Sequence, residues 1–248
     1  MEVHAHTHTA RKKWTHYLWE FLMLFFAVFC GFLAENIRES YVERHREKEY
    51  VASLINDLKY DTLQFKKTIS EIENKLPYFD SAFLFFKNSA SYNYVFPFNY
   101  WSNCLAAAVC MPDEPTIEQL KNSGNFRLLK NKKLLDSILI YDNHIKGEHL
   151  STNNYLISFH QQVLVYNHKI FDNENFGRYM DDMLHQRIAI AGDYGLVLLS
   201  KDQLQLKELV NKYIELKVTY IFSLMDLRER KREAEQLIAF VKKEYHLN

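Results

Sequence analysis

The chain has 248 residues with 31 basic and 31 acidic side chains, so its formal net charge at pH 7 is zero. This balance excludes a strong overall field that would attract nucleic acid or an anionic surface. Six glycines and four prolines are too few for the many tight turns of a β-sandwich or barrel. Because 48% of the residues are hydrophobic, we expect a packed core rather than a disordered chain. The composition predicts an all-α protein with long helices.

The N-terminal part of the chain predicts a transmembrane anchor at residues 14–35. From Phe21 to Ala34 the sequence FLMLFFAVFCGFLA has no charged residue, and a bilayer-spanning helix needs about 20 apolar residues. Adding Tyr17 to Trp19 extends the expected contact with the lipid bilayer to residues 17–34. Aromatic and basic residues just before the apolar run are expected to anchor it at the membrane interface: Arg11, Lys12, Lys13, Trp14, Tyr17 and Trp19.

This segment has two alternatives to an anchor, a cleaved signal peptide and a buried core helix. A cleaved signal peptide needs small residues in an Ala-x-Ala-like pattern before the cut, and residues 32–35 (FLAE) fit that pattern poorly. A buried core helix of a soluble protein would normally be amphipathic, whereas this run is apolar all round. Both patterns favour the anchor.

The orientation of the anchor is predicted from its flanking basic residues. Arg11 to Lys13 precede the span, and Arg38, Arg44, Arg46 and Lys48 follow it at a greater distance. The positive-inside rule counts these two sides as nearly equal. Since the basic triplet lies closer to the span, we expect a cytoplasmic N-terminus and a periplasmic domain, with the reverse orientation as the alternative.

The residues on either side of the anchor divide into three segments by their sequence patterns. Residues 1–13 read as a basic, His-rich tail, residues 36–50 as a charged helical neck, and residues 51–248 as a helical bundle domain. Apolar residues after position 50 recur at alternating steps of four and three, with Thr62 filling the one gap, which is the heptad pattern of a coiled coil. We call this set, on the first predicted helix, the α1 seam. Its members are Val51, Ile55, Leu58, Phe65, Ile69, Ile72, Leu76 and Phe79. We expect one helix from the anchor to Pro77 and an antiparallel, coiled-coil-like bundle.

The rest of the chain predicts further helices joined by few loops. Residues 90–115, rich in aromatics and interrupted by proline, read as an irregular connection packed on the bundle. Thr116-x-x-Gln119 and Ser200-x-x-Gln203 have the pattern of capping boxes, and Gly124 of a left-handed helix cap. Asn131 is expected to cap a helix to about residue 171, with a slip of the heptad phase at 147–152. A short helix is expected from Arg178 and a long last helix to about Tyr245.

The cysteines allow two interpretations. Cys30 falls within the apolar run, and Cys104 and Cys110 lie six residues apart in the aromatic-rich connection. In an oxidising compartment, Cys104 and Cys110 are candidates for a disulfide bond. In the alternative, both are buried thiols that pack as small hydrophobic residues.

The sequence contains only weak candidates for metal-binding or catalytic residues. His4, His6 and His8 alternate in the N-terminal tail and are weak candidates for binding zinc, nickel or copper. Asp182-x-x-His185 is a single pair, whereas helical di-metal sites use two such pairs and further glutamates. The patterns GxxxxGK[ST], GxSxG, HExxH and CxxC do not occur. We therefore predict no catalytic residue, no cofactor and no small-molecule substrate, and expect that the protein is not an enzyme.

Three blocks of sequence resemble a domain-of-unknown-function family of single-span bacterial membrane proteins. They are EVHAHTHTARKKWTHYLWEFLMLFFAVFCGFLAENIRE at residues 2–39, REKEYVASLINDLKYDT at residues 46–62, and TIEQLKNSGNFRLLKNKKLLDSI at residues 116–138. The resemblance covers most of the chain and is weakest in the last helix. It implies a Gram-negative inner-membrane protein with a helical domain, and it carries over no functional residue.

Three functions remain open at this point. The first is a membrane-anchored structural or interaction protein that uses helical faces to bind a homodimer partner or another membrane protein. The second is a sensory module whose extracytoplasmic bundle passes a signal through the span as a small helix shift. The third is a metal-handling protein or an enzyme, which would need polar side chains to converge in one pocket. The long seam and the lack of catalytic motifs favour the first, with no role in binding nucleic acid.

Overall fold

The structure, a computed structural model, describes residues 14–87, 95–185, 187 and 194–247. Its residue contacts divide the chain into two compact units, residues 1–50 and 51–248. Helices make up 85% of it, which confirms the prediction of an all-α protein. The short sheet has two antiparallel strands, β1 (Val95–Pro97) and β2 (Gly195–Val197), with Phe96 opposite Leu196.

The helices follow the chain in a simple order. Helix α1 (Trp14–Lys87) has 74 residues and contributes to both units. The remaining α-helices all belong to the second unit: α2 (Phe98–Leu105), α3 (Pro115–Asn122), α4 (Lys132–His144), α5 (Leu150–Ile170), α6 (Glu174–Leu184) and α7 (Gln203–Glu244). A 3₁₀ turn at Asn125–Leu128 precedes α4, and a π-helix at Ile145–His149 joins α4 to α5.

Helix α1 passes through Pro77 and ends at Lys87, so the expectation that it ends at the proline is wrong. A proline inside a helix removes one N–H donor and usually kinks the helix. The residues after Pro77 are held by burial, because Phe79 and Ala82 are fully buried and Phe85 and Phe86 nearly so. This packing outweighs the local cost of the proline.

The α1 seam packs inside the second unit. Its buried members are Val51, Ile55, Leu58, Phe65, Ile72 and Phe79. The Phe79 ring lies 6.1 Å from the ring of Tyr213 and 6.0 Å from that of Tyr220, both on α7.

The aromatic-rich connection is more regular than predicted. Instead of an irregular segment, residues 95–105 form β1 and α2, and residues 88–94 lie outside the described part of the chain. Phe96 is fully buried, with its ring 5.0 Å from that of Phe85 and 5.2 Å from that of Phe171. Contacts far apart in sequence therefore order this segment, which local patterns do not reveal.

Helix ends match the sequence patterns in part. Asn131 accepts a hydrogen bond from the Leu134 N–H at 3.1 Å, which confirms it as the cap of α4, and Gly124 has the predicted left-handed φ of 67°. Neither capping box forms. Helix α3 begins at Pro115 with no side-chain cap, and α7 is capped by Asp202, whose carboxylate accepts from Leu204 N–H. Proline at the first helical position and aspartate at the cap compete with the box pattern.

The π-helix explains the predicted slip in the heptad phase. A π-turn accommodates one more residue than an α-turn and shifts every later side chain around the axis. Ile138 and Tyr141 are buried before it, and Leu156 and Val163 after it. A continuous helical path from Lys132 to Ile170 thus keeps its apolar stripe on the core despite the slip. The short helix α6 begins at Glu174, four residues before the predicted Arg178.

Candidate functional site

The N-terminal part of α1 is exposed and apolar. Among the described residues, α1 alone contains a window long and apolar enough to cross a membrane, and none of that window is buried in the structure. The predicted interface residues Trp14, Tyr17 and Trp19 are all exposed. A core helix of a soluble protein would be buried instead. The other predicted interface residues, Arg11, Lys12 and Lys13, and the candidate metal ligands His4, His6 and His8 lie outside the described residues.

The second unit has an apolar groove between α5 and α7. We call it the α5–α7 groove, and its volume is about 660 Å³. It is lined by Glu148, Ser151, Thr152, Tyr155, Phe159, Glu215, Val218, Thr219 and Phe222. Tyr155 and Phe222 remain 63% and 61% exposed, which is high for large aromatic side chains. The Tyr155 and Phe159 rings stack with their centroids 6.3 Å apart.

Helix α7 has a second apolar face beside this groove. On one side it buries large residues such as Tyr213, Leu216 and Tyr220 in the core. On the other side it leaves five apolar residues 38–62% exposed, at steps of four, three, one and three: Ile214, Val218, Ile221, Phe222 and Met225. A surface helix normally has one apolar stripe facing the core and a polar face toward water. The middle of α7 has apolar residues on both sides and so has more apolar surface than the described residues of its unit cover.

The charged residues that line the α5–α7 groove are both acidic. Glu215 accepts a hydrogen bond from Lys212 at 2.8 Å, and Glu148 accepts one from Arg230 at 3.3 Å. Both glutamates remain well exposed, with side-chain accessibilities of 44% and 65%. Carboxylates at the rim of an apolar groove favour a partner with basic residues beside its apolar face.

The π-helix carries a buried histidine whose two ring nitrogens both face oxygen atoms. His149 Nδ1 lies 2.5 Å from Asp226 Oδ2, and Nε2 lies 2.8 Å from the carbonyl oxygen of Cys110. Arg230 Nε lies 3.4 Å from Asp226 Oδ1. A carboxylate and a carbonyl accept hydrogen bonds, so a ring nitrogen that carries a proton can donate to the oxygen that it faces. These contacts of His149 and Asp226 join α7, the π-helix and the backbone at Cys110.

A second polar group holds the segment before α3 against α1. Asp61 is fully buried, accepts a hydrogen bond from the Tyr141 hydroxyl at 3.1 Å, and accepts another from the Asp113 N–H at 3.3 Å. Burial raises the pKa of Asp61 to about 6 despite these donors. Asp57 accepts from the Thr116 N–H at 3.0 Å, so α1 binds α3 at its first turn. The carboxylates of Asp61 and Asp57 therefore have a structural role, because the donors to both belong to the protein itself.

Cys104 and Cys110, the candidate disulfide, are free thiols in the structure, and both are buried. Burial raises the pKa of Cys104 to about 12 and that of Cys110 to about 11. A thiol is reactive as its thiolate, so these environments make both residues poor nucleophiles. They fit the alternative of buried thiols that pack as small hydrophobic residues.

The other candidate ligands do not converge. Asp182 binds Tyr194 and Arg187, whereas His185 contacts the neighbouring Asp181. Within the described ranges, no group of three or more His, Cys, Asp or Glu side chains is placed to hold a metal ion.

Sequence reasoning missed the α5–α7 groove and the partners of His149. The exposed half of α7 could have been found, because the stretch from Ile214 to Met225 contains more apolar residues than one core-facing stripe needs. Contacts such as that between Asp226 and His149 join residues far apart in sequence and leave no local pattern. Comparison with protein-family models, curated proteins and solved structures found no match for the chain.

Proposed function

We propose that this protein is a membrane-anchored helical interaction protein whose α5–α7 groove binds an amphipathic helix of a partner membrane protein. The observation that carries the proposal is the second apolar face of α7, from Ile214 to Met225. Apolar surface of this extent next to a groove is typical of protein interaction sites. Because Glu148 and Glu215 are the charged groove residues, the partner helix has basic residues flanking its apolar face.

The anchor in this proposal is the N-terminal part of α1, through residues 17–34. Its exposed aromatic and aliphatic side chains support contact with lipid. The proposed location is a bacterial inner membrane, as the family resemblance implies, with the N-terminus cytoplasmic and residues 51–248 periplasmic. In the second unit, the four-three spacing of the α1 seam supports coiled-coil-like packing.

Anchoring and orientation are tested separately from partner binding. Deletion of residues 17–34 is expected to release the protein from washed membranes, and a variant that stays in the membrane fraction would refute the anchor. With a C-terminal tag, added protease should cleave the tag once the outer membrane is opened. A tag that survives until the inner membrane is breached would reverse the proposed orientation.

Partner binding is tested with a photoreactive amino acid at Phe222 in the full chain, in intact membranes. The matched control is the same residue at Tyr60 on α1, which is 53% exposed against 61% for Phe222. The proposal predicts an adduct from position 222 whose cross-linked peptide maps to an amphipathic helix with basic flanks in another membrane protein. Adducts that map to a second copy of this chain, to lipid alone, or equally from both positions would overturn it.

A further inference from the structure

A second groove lies at the segment before α3 and shares no lining residue with the α5–α7 groove. We call it the Glu114 groove, and its volume is about 530 Å³. Its apolar walls are formed by Met111, Pro112, Pro115, Ile145 and Leu150. The polar lining residues come from three directions: the 111–115 segment, α3, and the helical path from the π-helix into α5.

Glu114 is a buried carboxylate without a donor. Its side chain is 6% exposed, and neither oxygen accepts a hydrogen bond from any residue that the structure describes. The residue occupies the N-cap position of α3, yet its side chain makes no capping bond. Burial, with the nearby carboxylates of Asp142 and Asp61, raises the pKa of Glu114 to about 7. A buried carboxylate normally has a cation or several donors beside it.

The cationic side chains near Glu114 are bound to other carboxylates. Lys146, which lines the groove, binds Glu118 and also lies 3.0 Å from Asp142 Oδ1. Lys121 binds Asp142 as well. The ring of His149 is held between Asp226 and the Cys110 carbonyl. Each of these groups has its own acceptor, and Glu114 lines the groove with two buried carboxylate oxygens that no described residue contacts as a hydrogen-bond donor.

Asn153 lines the same groove and contains a second buried acceptor atom. It is 2% exposed, and its side-chain nitrogen donates to the Cys110 carbonyl at 2.6 Å. This bond fixes the orientation of the amide and turns Oδ1 away from Cys110. Within the described part of the chain, Oδ1 has no donor. The lining of a groove with apolar walls therefore includes two buried acceptor groups, one of them acidic, that lack a hydrogen-bond donor among the residues the structure describes.

We propose that the Glu114 groove binds a primary alkylammonium ligand. The ammonium group donates to the Glu114 carboxylate and to Asn153 Oδ1, and the alkyl chain packs against Ile145, Leu150 and the two prolines. An ammonium group has three donors and a full positive charge, which matches a carboxylate and an amide oxygen. A divalent cation is a poorer match, because Ca²⁺ and Mg²⁺ take six or more oxygen ligands.

The test is calorimetric titration of the purified full chain in detergent micelles with n-butylamine. The neutral control ligand is 1-butanol, which has the same chain length and no charge, and the metal control is magnesium chloride. We expect saturable binding of n-butylamine, with 1-butanol at least about tenfold weaker, since a buried carboxylate discriminates strongly for charge. Equal binding of both ligands, saturable magnesium binding in place of the amine, or no saturable amine binding would each overturn the proposal.

Two variants separate Glu114 from its surroundings. Glu114→Gln keeps the shape of the side chain and is expected to weaken n-butylamine at least about tenfold. Glu118→Gln is the matched control, because Glu118 lines the same groove but already binds Lys146. It should retain the wild-type affinity within about threefold. Loss of binding in both variants, or in neither, would contradict the assignment to Glu114.

A third measurement needs no variant and covers the case in which Glu114→Gln does not fold. The affinity of the wild-type chain for n-butylamine should fall by about tenfold between about pH 8 and pH 6, because a protonated carboxyl group cannot pair with an ammonium ion. An affinity that is constant over this range would exclude Glu114 as the ammonium acceptor.

Discussion

His149 on the π-helix and Asp226 on α7 are joined by a 2.5 Å contact between Nδ1 and Oδ2. The imidazole is 2% exposed, and its edge also packs on the ring of Phe65 from α1, with the centroids 5.8 Å apart. One side chain thus connects three long helical segments and the segment at residue 110. The connection depends on the π-helix, because the extra residue in that turn sets the direction in which His149 points.

Replacing either partner of this pair should destabilise the second unit strongly. Asp226→Leu or His149→Phe leaves a buried polar group without its partner, which costs about 1 to 3 kcal/mol. Denaturant unfolding of the full chain measures the effect. The matched control is His185→Phe, since His185 forms an exposed pair with Asp181, and such pairs contribute less than about 1 kcal/mol. Equal effects at the two sites would contradict the structural role of His149.

The raised pKa of Glu114 predicts that this residue lowers the free energy of unfolding as the pH rises. Its pKa in the folded chain, about 7, lies above the ordinary value of 4.5, so the folded state binds this proton more tightly than the unfolded state. The contribution of this group is therefore neutral below about pH 4.5, becomes unfavourable as pH rises toward 7, and stays constant above that. Glu114→Gln removes a cost of about 3 kcal/mol at pH 8. Unfolding at pH 5 and pH 8 without amine should show a much larger gain at pH 8 than at pH 5, and equal effects at both would refute this prediction.

The α1 seam should be essential for folding of the second unit. Ile72 is fully buried and Ile69 lies beside it in the seam, so the double change Ile69→Lys with Ile72→Lys places two charges in or beside the core. We expect global unfolding, seen as loss of the cooperative transition in circular dichroism. Leu63→Lys on the same helix is the control, because Leu63 is 64% exposed. A folded double variant that merely lost a cross-linked dimer would place the seam between two chains instead.

The three cysteines should differ in their reactivity toward a water-soluble alkylating reagent. Cys104 and Cys110 are buried with raised pKa values, so both should react slowly at pH 8 and rapidly in denaturant. Cys30 is exposed in the structure but lies within the proposed span. It should be protected in membranes and reactive after detergent extraction. Mass spectrometry of tryptic peptides separates the three sites, and rapid labelling of Cys30 in sealed membranes would contradict the anchor.

The helical class was predictable because it depends on local patterns. The spacing of the α1 seam, the cap at Asn131 and the left-handed Gly124 each require only neighbouring residues. The π-helix was visible as a slip in the heptad phase, although its partner Asp226 was not. Residues 95–105 were misjudged as irregular because their order comes from contacts of Phe96 with rings from α1 and from Phe171.

The groove residues were the hardest to predict. A carboxylate such as Glu114 looks like an ordinary surface residue in sequence, and burial by distant segments gives it its unusual environment. The sequence shows that Val218 and Phe222 are apolar residues of the last helix, but the local pattern does not indicate which surface they contact. Which apolar residues remain exposed depends on how α5 and α7 pack, and that is a tertiary property.

The most direct test of the proposed interaction is a cross-linking measurement across the groove, made in membranes. A photoreactive residue replaces Tyr155 on α5, and Phe222→Glu is introduced on the opposite wall. The interaction proposal predicts an adduct with a partner helix when Phe222 is present, its loss by about tenfold with Phe222→Glu, and an unchanged thermal unfolding midpoint because Phe222 is exposed. An adduct whose yield is unaffected by Phe222→Glu, or that never exceeds the yield from Tyr60, would contradict the proposal that this groove binds a partner.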